Sequence, residues 1–270
     1  MKKLLVILLS FVLALPLVGC SKDSETITVG ATSRPHAEIL EAIKSDFEKS
    51  GYKLKIKEFD KYELINSATE NNEIDANFFQ HKPFLDDYNA KNNGTLIPVA
   101  SVHFEPLGIY SRTGYTLESV KSASGKKVLV PDDKSNEARA LLLLEENGLI
   151  TLREGAGLNA AKADIIANPY NLDVREVAAE LIAEMSKDES CALGVINGNY
   201  ALAAGLKTSD ALAGEDVGGQ AAKTYANVLV VRSARKDEPW VEELVKCLLS
   251  EKVKNFVAEN YGGAVKVVFD

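Results

Sequence analysis

"TITVGATSRPHAEILEAIKSDFEKSGYKLKIKEF", residues 26–59, contains one complete unit of the fold. Residues 26–31 are short, β-branched and bounded by small residues, the composition of a strand. Behind them Ile39, Ile43 and Phe47 recur every four residues, which places them on one face of a helix. Ser33 is positioned to cap that helix, Pro35 suits its first turn and Gly51 ends it. Residues 53–59 then alternate polar and apolar, as a half-buried strand does. Two strands separated by a helix read as a βαβ unit, in which the strands run parallel and the helix packs across them.

The same alternation continues along the chain. A helix is expected from Tyr62 to about Asn71, then the run "IDANFF" (74–79), a helix from about Pro83, and the β-runs "LIPVASVHF" (96–104) and "PLGIYS" (106–111). A second block opens with "KKVLVPDD" (126–133) and the helix "SNEARALLLLEENG" (135–148). The strand "LDVREV" (172–177), the helix "AAELIAEM" (178–185), the strand "CALGVI" (191–196) and the helix "NGNYALAAG" (197–205) follow. The run "YANVLVVRS" (225–233) and helices over 238–249 and 251–260 close the chain. The class is α/β, with two α/β lobes joined by two crossover segments: 26–109 with 227–270 in lobe 1, and 110–226 in lobe 2. Ligands of open α/β sheets sit beyond the carboxyl ends of strands. Those ends are "GATSRPH" (30–36), "NFFQH" (77–81), "VPDDKSNEAR" (130–139) and "INGNY" (196–200).

The beginning of the chain reads as an address. Lys2 and Lys3, an apolar run from Leu4 to Leu15, and Leu17-Val18-Gly19-Cys20 form a secretory signal over 1–19 that ends in a lipobox. Cys20 then becomes the lipidated first residue, and 20–25 a short polar tether to the bilayer on the extracytoplasmic face. Formal charge falls from −8 to −10 once Lys2 and Lys3 leave. Such an acidic chain disfavours nucleic acid as a partner. Cys191 and Cys247 lie in apolar runs and read as buried thiols, with a disulfide between them left open.

No nucleophile–base motif, Gly-rich phosphate loop or His-Glu-x-x-His is present, so the reading is a binding protein without cofactor rather than an enzyme. An amino-acid ligand needs a planar donor for its carboxylate, acceptors for its ammonium and walls for its side chain. Arg139 opens a helix, where backbone N–H groups also favour an anion; a surface arginine is the competing reading. Asn197 and Asn227 offer donor and acceptor, or serve as caps and turns. "ANFFQHKPF" (76–84) holds three of the nine Phe and one of the three His. Phe79, Phe84 and Tyr62 are candidate walls, whereas Phe78 points to the core because strand side chains alternate.

Several blocks in order, "VGATSRPHAEIL", "EIDANFFQHKPFLDDYN", "VHFEPLGIYS", "SNEARALLLLEENGLI", "INGNYALAAGL" and "YANVLVVR", resemble the methionine-binding lipoproteins of bacterial ABC importers, the NlpA family. The resemblance covers essentially the whole chain after Cys20. It implies a periplasmic-binding-protein-like fold whose lobes close over L- or D-methionine, a monomer that delivers it to a permease with its ATPase. It also implies roles for residues. Phe79 would stack along the methionine side chain, His81 would lie near the thioether, and Tyr62 and Phe84 would complete the slot. Arg139 would take the carboxylate, with Asn197 and Asn227 beside it. Phe84 stands where the family usually has Tyr, and Ser33-Arg34 where small Pro or Gly residues are usual. Two other ligand readings stand beside this one: a different small amino acid, or a methionine-containing dipeptide. A reading of another class is an extracytoplasmic metal protein using His36, His81 and His103 with Glu105, a ligand set that suits zinc.

Overall fold

The structure, a computed structural model, describes residues 24–270. The expected signal 1–19, Cys20 and most of the tether 20–25 lie outside the described residues. In chain order the main elements begin with β1 (Thr26–Ala31), α1 (Glu38–Lys49), β2 (Lys53–Glu58), α2 (Glu63–Glu70), β3 (Ala76–His81), α3 (Lys82–Asn92) and β4 (Leu96–Phe104). Then come β5 (Gly108–Tyr110), β6 (Lys127–Pro131), α4 (Lys134–Glu146), β7 (Thr151–Leu152), β8 (Ile165–Ala167), β9 (Asp173–Val177), α5 (Ala179–Met185), β10 (Cys191–Ile196) and α6 (Gly198–Ala203). β11 (Ala213–Gly214), α7 (Gln220–Thr224), β12 (Asn227–Arg232), α8 (Pro239–Leu248), α9 (Glu251–Tyr261) and β13 (Lys266–Val267) complete them.

Two sheets carry the two lobes. The first has the order β13-β4-β12-β3-β1-β2 and the second β11-β5-β10-β6-β9. β2, β1 and β3 are parallel, and β12 runs antiparallel to both β3 and β4. In the second sheet β9, β6 and β10 are parallel and β5 is antiparallel to β10. Each sheet is thus a βαβ core with a returning strand, and helices supply the apolar cover that such sheets need. Ile27, Val29, Phe78 and Leu229 meet Ile39, Ile43 and Phe47 of α1 and Trp240 and Leu244 of α8 in the first core. Val128, Val130, Leu193 and Val195 meet Leu141 and Leu144 of α4 in the second.

Two expectations are corrected. The helix after β1 does not start at a Ser33 cap. Thr32 and His36 bond each other, Oγ1 to Nδ1 at 2.7 Å, and α1 begins at Glu38. The first lobe boundary also falls earlier than 109. Gly108 and Ile109 already belong to the second sheet, because Ile109 sits opposite Val195 of β10 and Ala213 of β11. The chain therefore passes between sheets over 105–107, and returns immediately before Asn227. Cys191 is buried in β10, Cys247 is half-buried in α8, and neither is in a disulfide.

Candidate functional site

Between the lobes lies a cavity of about 330 Å³ lined by Tyr62, Phe79, Gln80, His81, Phe84, Glu105, Asn136, Arg139, Asn197, Gly198, Asn199 and Asn227. All seven residues anticipated for a ligand site line it.

The wall from the first lobe is aromatic. Phe79 and Phe84 face each other edge-on at 5.8 Å, and Tyr62 lies 5.7 Å from both. Alternation along β3 sends Phe78 the other way, into the core against His36 and His103. A buried amide network fixes β3 to α2: Asn66 Nδ2 donates to Gln80 Oε1 at 2.8 Å, and Asn77 Nδ2 to Thr69 Oγ1 at 2.7 Å. Every residue of β3 is buried, so register and rotamers there are set from all sides.

The wall from the second lobe is polar. Asp133 caps α4 by accepting from the Asn136 backbone N–H at 3.0 Å. That places Asn136 and Arg139 on the first turns, facing the cavity. Arg139 is 4% exposed, and its fork is already engaged. Nε donates to Glu215 Oε1 at 2.6 Å, while Nη2 donates to Glu215 Oε2 and to the Glu105 carbonyl at 2.8 Å. The guanidinium also lies over the Tyr225 ring at 4.4 Å. Burial lowers its pKa, but adjacent Glu215 outweighs that and holds it above the ordinary arginine value. Two of the three guanidinium nitrogens are therefore already taken within the protein. Among the described residues only Nη1 makes no hydrogen bond, so Arg139 offers one edge, stiffened from behind by Glu215.

The floor is formed by the crossovers. His103 Nε2 lies 2.7 Å from Glu105 Oε1, and His36 Nε2 lies 3.3 Å from the same oxygen and 3.0 Å from Asn227 Oδ1. Burial drives the pKa of His36 down to about 4 and that of His103 to about 3, so both are neutral at ordinary pH. Burial raises that of Glu105, against the opposing pull of His36 and Arg139. Gly198 leaves room for this carboxylate: a Cβ there would fall 2.7 Å from Glu105 Cβ and 3.3 Å from the Pro106 carbonyl.

The metal set read from sequence is only partly assembled. His36, His103 and Glu105 converge, but His81 is not among them and bonds Asn136 instead. Both nitrogens of His36 already have hydrogen-bond partners, Thr32 and Asn227, and His103 Nε2 has Glu105. His36 is thus fully engaged in the hydrogen-bond network, whereas His103 Nδ1 is buried without a partner among the described residues. Gln80, Asn136, Gly198 and Asn199 escaped the sequence reading, and Glu105 was singled out only as a metal ligand. Asn136 carried a usable signal, because Asp133 three residues earlier is a helix cap that points the first turn at the cleft.

Contacts also cross the cleft. Tyr62 Oη donates to Asn199 Oδ1, the Tyr62 and Tyr200 rings stand 4.7 Å apart, and Tyr200 Oη donates to the Asp60 carbonyl at 3.0 Å. His81 of β3 reaches Asn136 of α4 at 3.0 Å.

Residues 27–269 match the family model described as NlpA lipoprotein. The chain belongs to the NlpA lipoprotein family. Among the proteins that this NlpA chain resembles, Membrane lipoprotein TpN32 of Treponema pallidum is 39% identical over 253 residues, covering 93% of this chain and 91% of that one. Methionine-binding lipoprotein MetQ of Bacillus subtilis is 35% identical, covering 92% and 89%. A nutrient-binding protein of Burkholderia cenocepacia, solved bound to methionine, superposes with a TM-score of 0.84 at 37% identity, covering 90% of this chain and all of that one. The two-lobe α/β architecture is thus that of NlpA substrate-binding proteins. No helix among the described residues is long and apolar enough to cross a membrane.

Proposed function

We propose that this NlpA lipoprotein is an extracytoplasmic receptor, tethered through lipid on Cys20, that binds methionine and delivers it to an ABC importer. One observation carries the reading. The cavity has an unbranched aromatic slot at one end, and at the other a buried cation beside carboxylate and amide acceptors. A free amino acid with a long apolar side chain matches both ends. Its side chain lies among Tyr62, Phe79 and Phe84, where sulfur–aromatic contacts contribute about 0.3–1.5 kcal/mol each. His81, whose pKa burial lowers to about 3, is a neutral neighbour there. The carboxylate takes Nη1 of Arg139. The ammonium takes Asn197 Oδ1, Asn227 and the Glu105 carboxylate. The MetQ relatives and the methionine-bound neighbour support the ligand; the lipobox supports the anchor.

The test is a thermal-shift panel on protein refolded to strip carried-over ligand. L- or D-methionine should raise the melting temperature more than norleucine, and norleucine more than methionine sulfoxide, because ligand stabilisation follows RT ln(1 + [L]/Kd). A sulfoxide buries an unpaired dipole in an apolar slot, at a cost of about 1–3 kcal/mol. A larger shift with glutamine, histidine or a branched-chain amino acid would overturn the assignment. A shift with a methionine-containing dipeptide and none with any free amino acid would replace it. For the anchor, Cys20→Ala should accumulate as unlipidated precursor outside the detergent phase; unchanged processing and partitioning would reject it.

A further inference from the structure

We propose that Asn136 is a positioning residue that couples recognition of the ligand ammonium to closure of the cleft, an inference that rests on the amino-acid reading of the cavity. Asn136 is 1% exposed, and its amide is saturated. Nδ2 donates to both Asp133 oxygens, at 2.9 and 2.8 Å. Those bonds fix which way the amide points, because a carboxylate accepts and cannot donate. Oδ1 is therefore the end that faces the cleft, and it accepts twice: from Asn197 Nδ2 at 2.9 Å in its own lobe, and from His81 Nε2 at 3.0 Å in the other.

Each bond has a consequence for the next residue. Asn197 spends its donor end on Asn136, so its acceptor end is what remains. Asn197 is 5% exposed, and its Oδ1 is buried with no hydrogen-bond partner among the described residues. A buried amide oxygen without a partner is costly, and a bound ammonium removes that cost. His81 accepts the Phe84 backbone N–H on Nδ1 at 3.3 Å, so its proton sits on Nε2 and is offered to Asn136. Asn136 is thus the one acceptor shared by the residue that awaits the ammonium and the residue that reaches across from the opposite wall. Opening the cleft breaks the His81 bond alone, so Asn136 Oδ1, still aimed by Asp133 and still holding Asn197, loses the second of its two donors.

The tests separate this from the methionine assignment. Long-range ¹⁵N spectra of the histidine rings, recorded on wild type with and without methionine, should show His81 as the Nε2–H tautomer with a slowly exchanging ring proton. An Nδ1–H tautomer in both samples would overturn the proposal whatever the ligand proves to be. Asn136→Ala should weaken methionine binding by about tenfold, the equivalent of one buried hydrogen bond. It should also reduce the compaction that methionine produces in X-ray scattering. Should that variant fold poorly, Asn136→Ser or His81→Gln with the same readouts serves instead. Wild-type affinity and compaction in a folded variant would reject the coupling. Absence of methionine binding by wild type would reject the assignment instead, and the ring spectrum would still decide the tautomer.

Discussion

The two walls of the cavity are built by different rules. The first lobe contributes rings whose positions follow from strand alternation and close packing: Tyr62, Phe79 and Phe84 within 6 Å of one another. The second contributes polar groups whose directions follow from partners elsewhere: Arg139 held by Glu215, Asn197 by Asn136, and Asn136 by Asp133. Ionic charge concentrates on the second side and at the crossover, whereas the histidines of the first lobe are neutral. An apolar wall is set by what is near it. A polar wall is set by a chain of obligations, and each link carries more risk if cut.

The largest break comes from acid, which would charge the neutral side. His36, His81 and His103 have native pKa values of about 4, 3 and 3, depressed by burial from an ordinary 6.5. Their unfolded forms take up protons first, so stability is intact above pH 6.5 and is lost as pH falls toward 4. Each ring contributes a slope of at most about 1.4 kcal/mol per pH unit. Glu105, raised by burial, binds its proton more readily when folded and offsets part of the loss. Thermal melts from pH 7.5 to 4.5 should show the fall, and His103→Gln should flatten it; a melting temperature independent of pH would contradict the buried neutral network.

Next in size, Arg139→Ala should cost about 2–5 kcal/mol of methionine binding, as for half of a buried charge pair. It should also lower the melting temperature of the free protein, since Glu215 would be left buried alone. Arg139→Lys should recover little, because an ammonium cannot hold both Glu215 oxygens in a planar fork and still offer an edge. Calorimetry within threefold of wild type would show that the polar wall does not hold the ligand. Phe79→Ala should narrow the preference for methionine over norleucine by about 1 kcal/mol while leaving the Arg139 effect in place; an unchanged preference would move selectivity to the other wall. Smallest, Tyr62→Phe should cost about 0.5–1.5 kcal/mol, the hydroxyl bond to Asn199. No change would mean that this contact follows closure without stabilising it.

The same division explains what the sequence disclosed. βαβ periodicity gave the strands and helices that frame the cleft, and "NFFQH" gave the aromatic wall, because both rest on local spacing. The first helix begins at Glu38 and not at a Ser33 cap, and Thr32 and His36 pair side chain to side chain in the buried turn before it, a tertiary demand that spacing does not record. Gly108 and Ile109 joined the second lobe because β10 offered them an edge. Glu215, seventy-six residues beyond Arg139, could not be matched to it by any pattern, so the occupied fork stayed hidden. Gln80 and Asn136 sat beside residues already singled out. Gln80 carries no mark of its own, because an amide shows a role only when its partners are known, and for Asn136 the one local sign is the Asp133 cap.

The two crossovers leave the first sheet from neighbouring, hydrogen-bonded strands, with Asn227 of β12 opposite His103 of β4. Adjacent strands lie about 4.8 Å apart. Two tethers so close together act like the paired leaves of a door hinge, permitting swing about the line that joins them and resisting torsion across it. Such a connection favours rotation of one lobe about that line over its other movements. One pair of probes, one on each lobe, is then enough to follow rotation about that line.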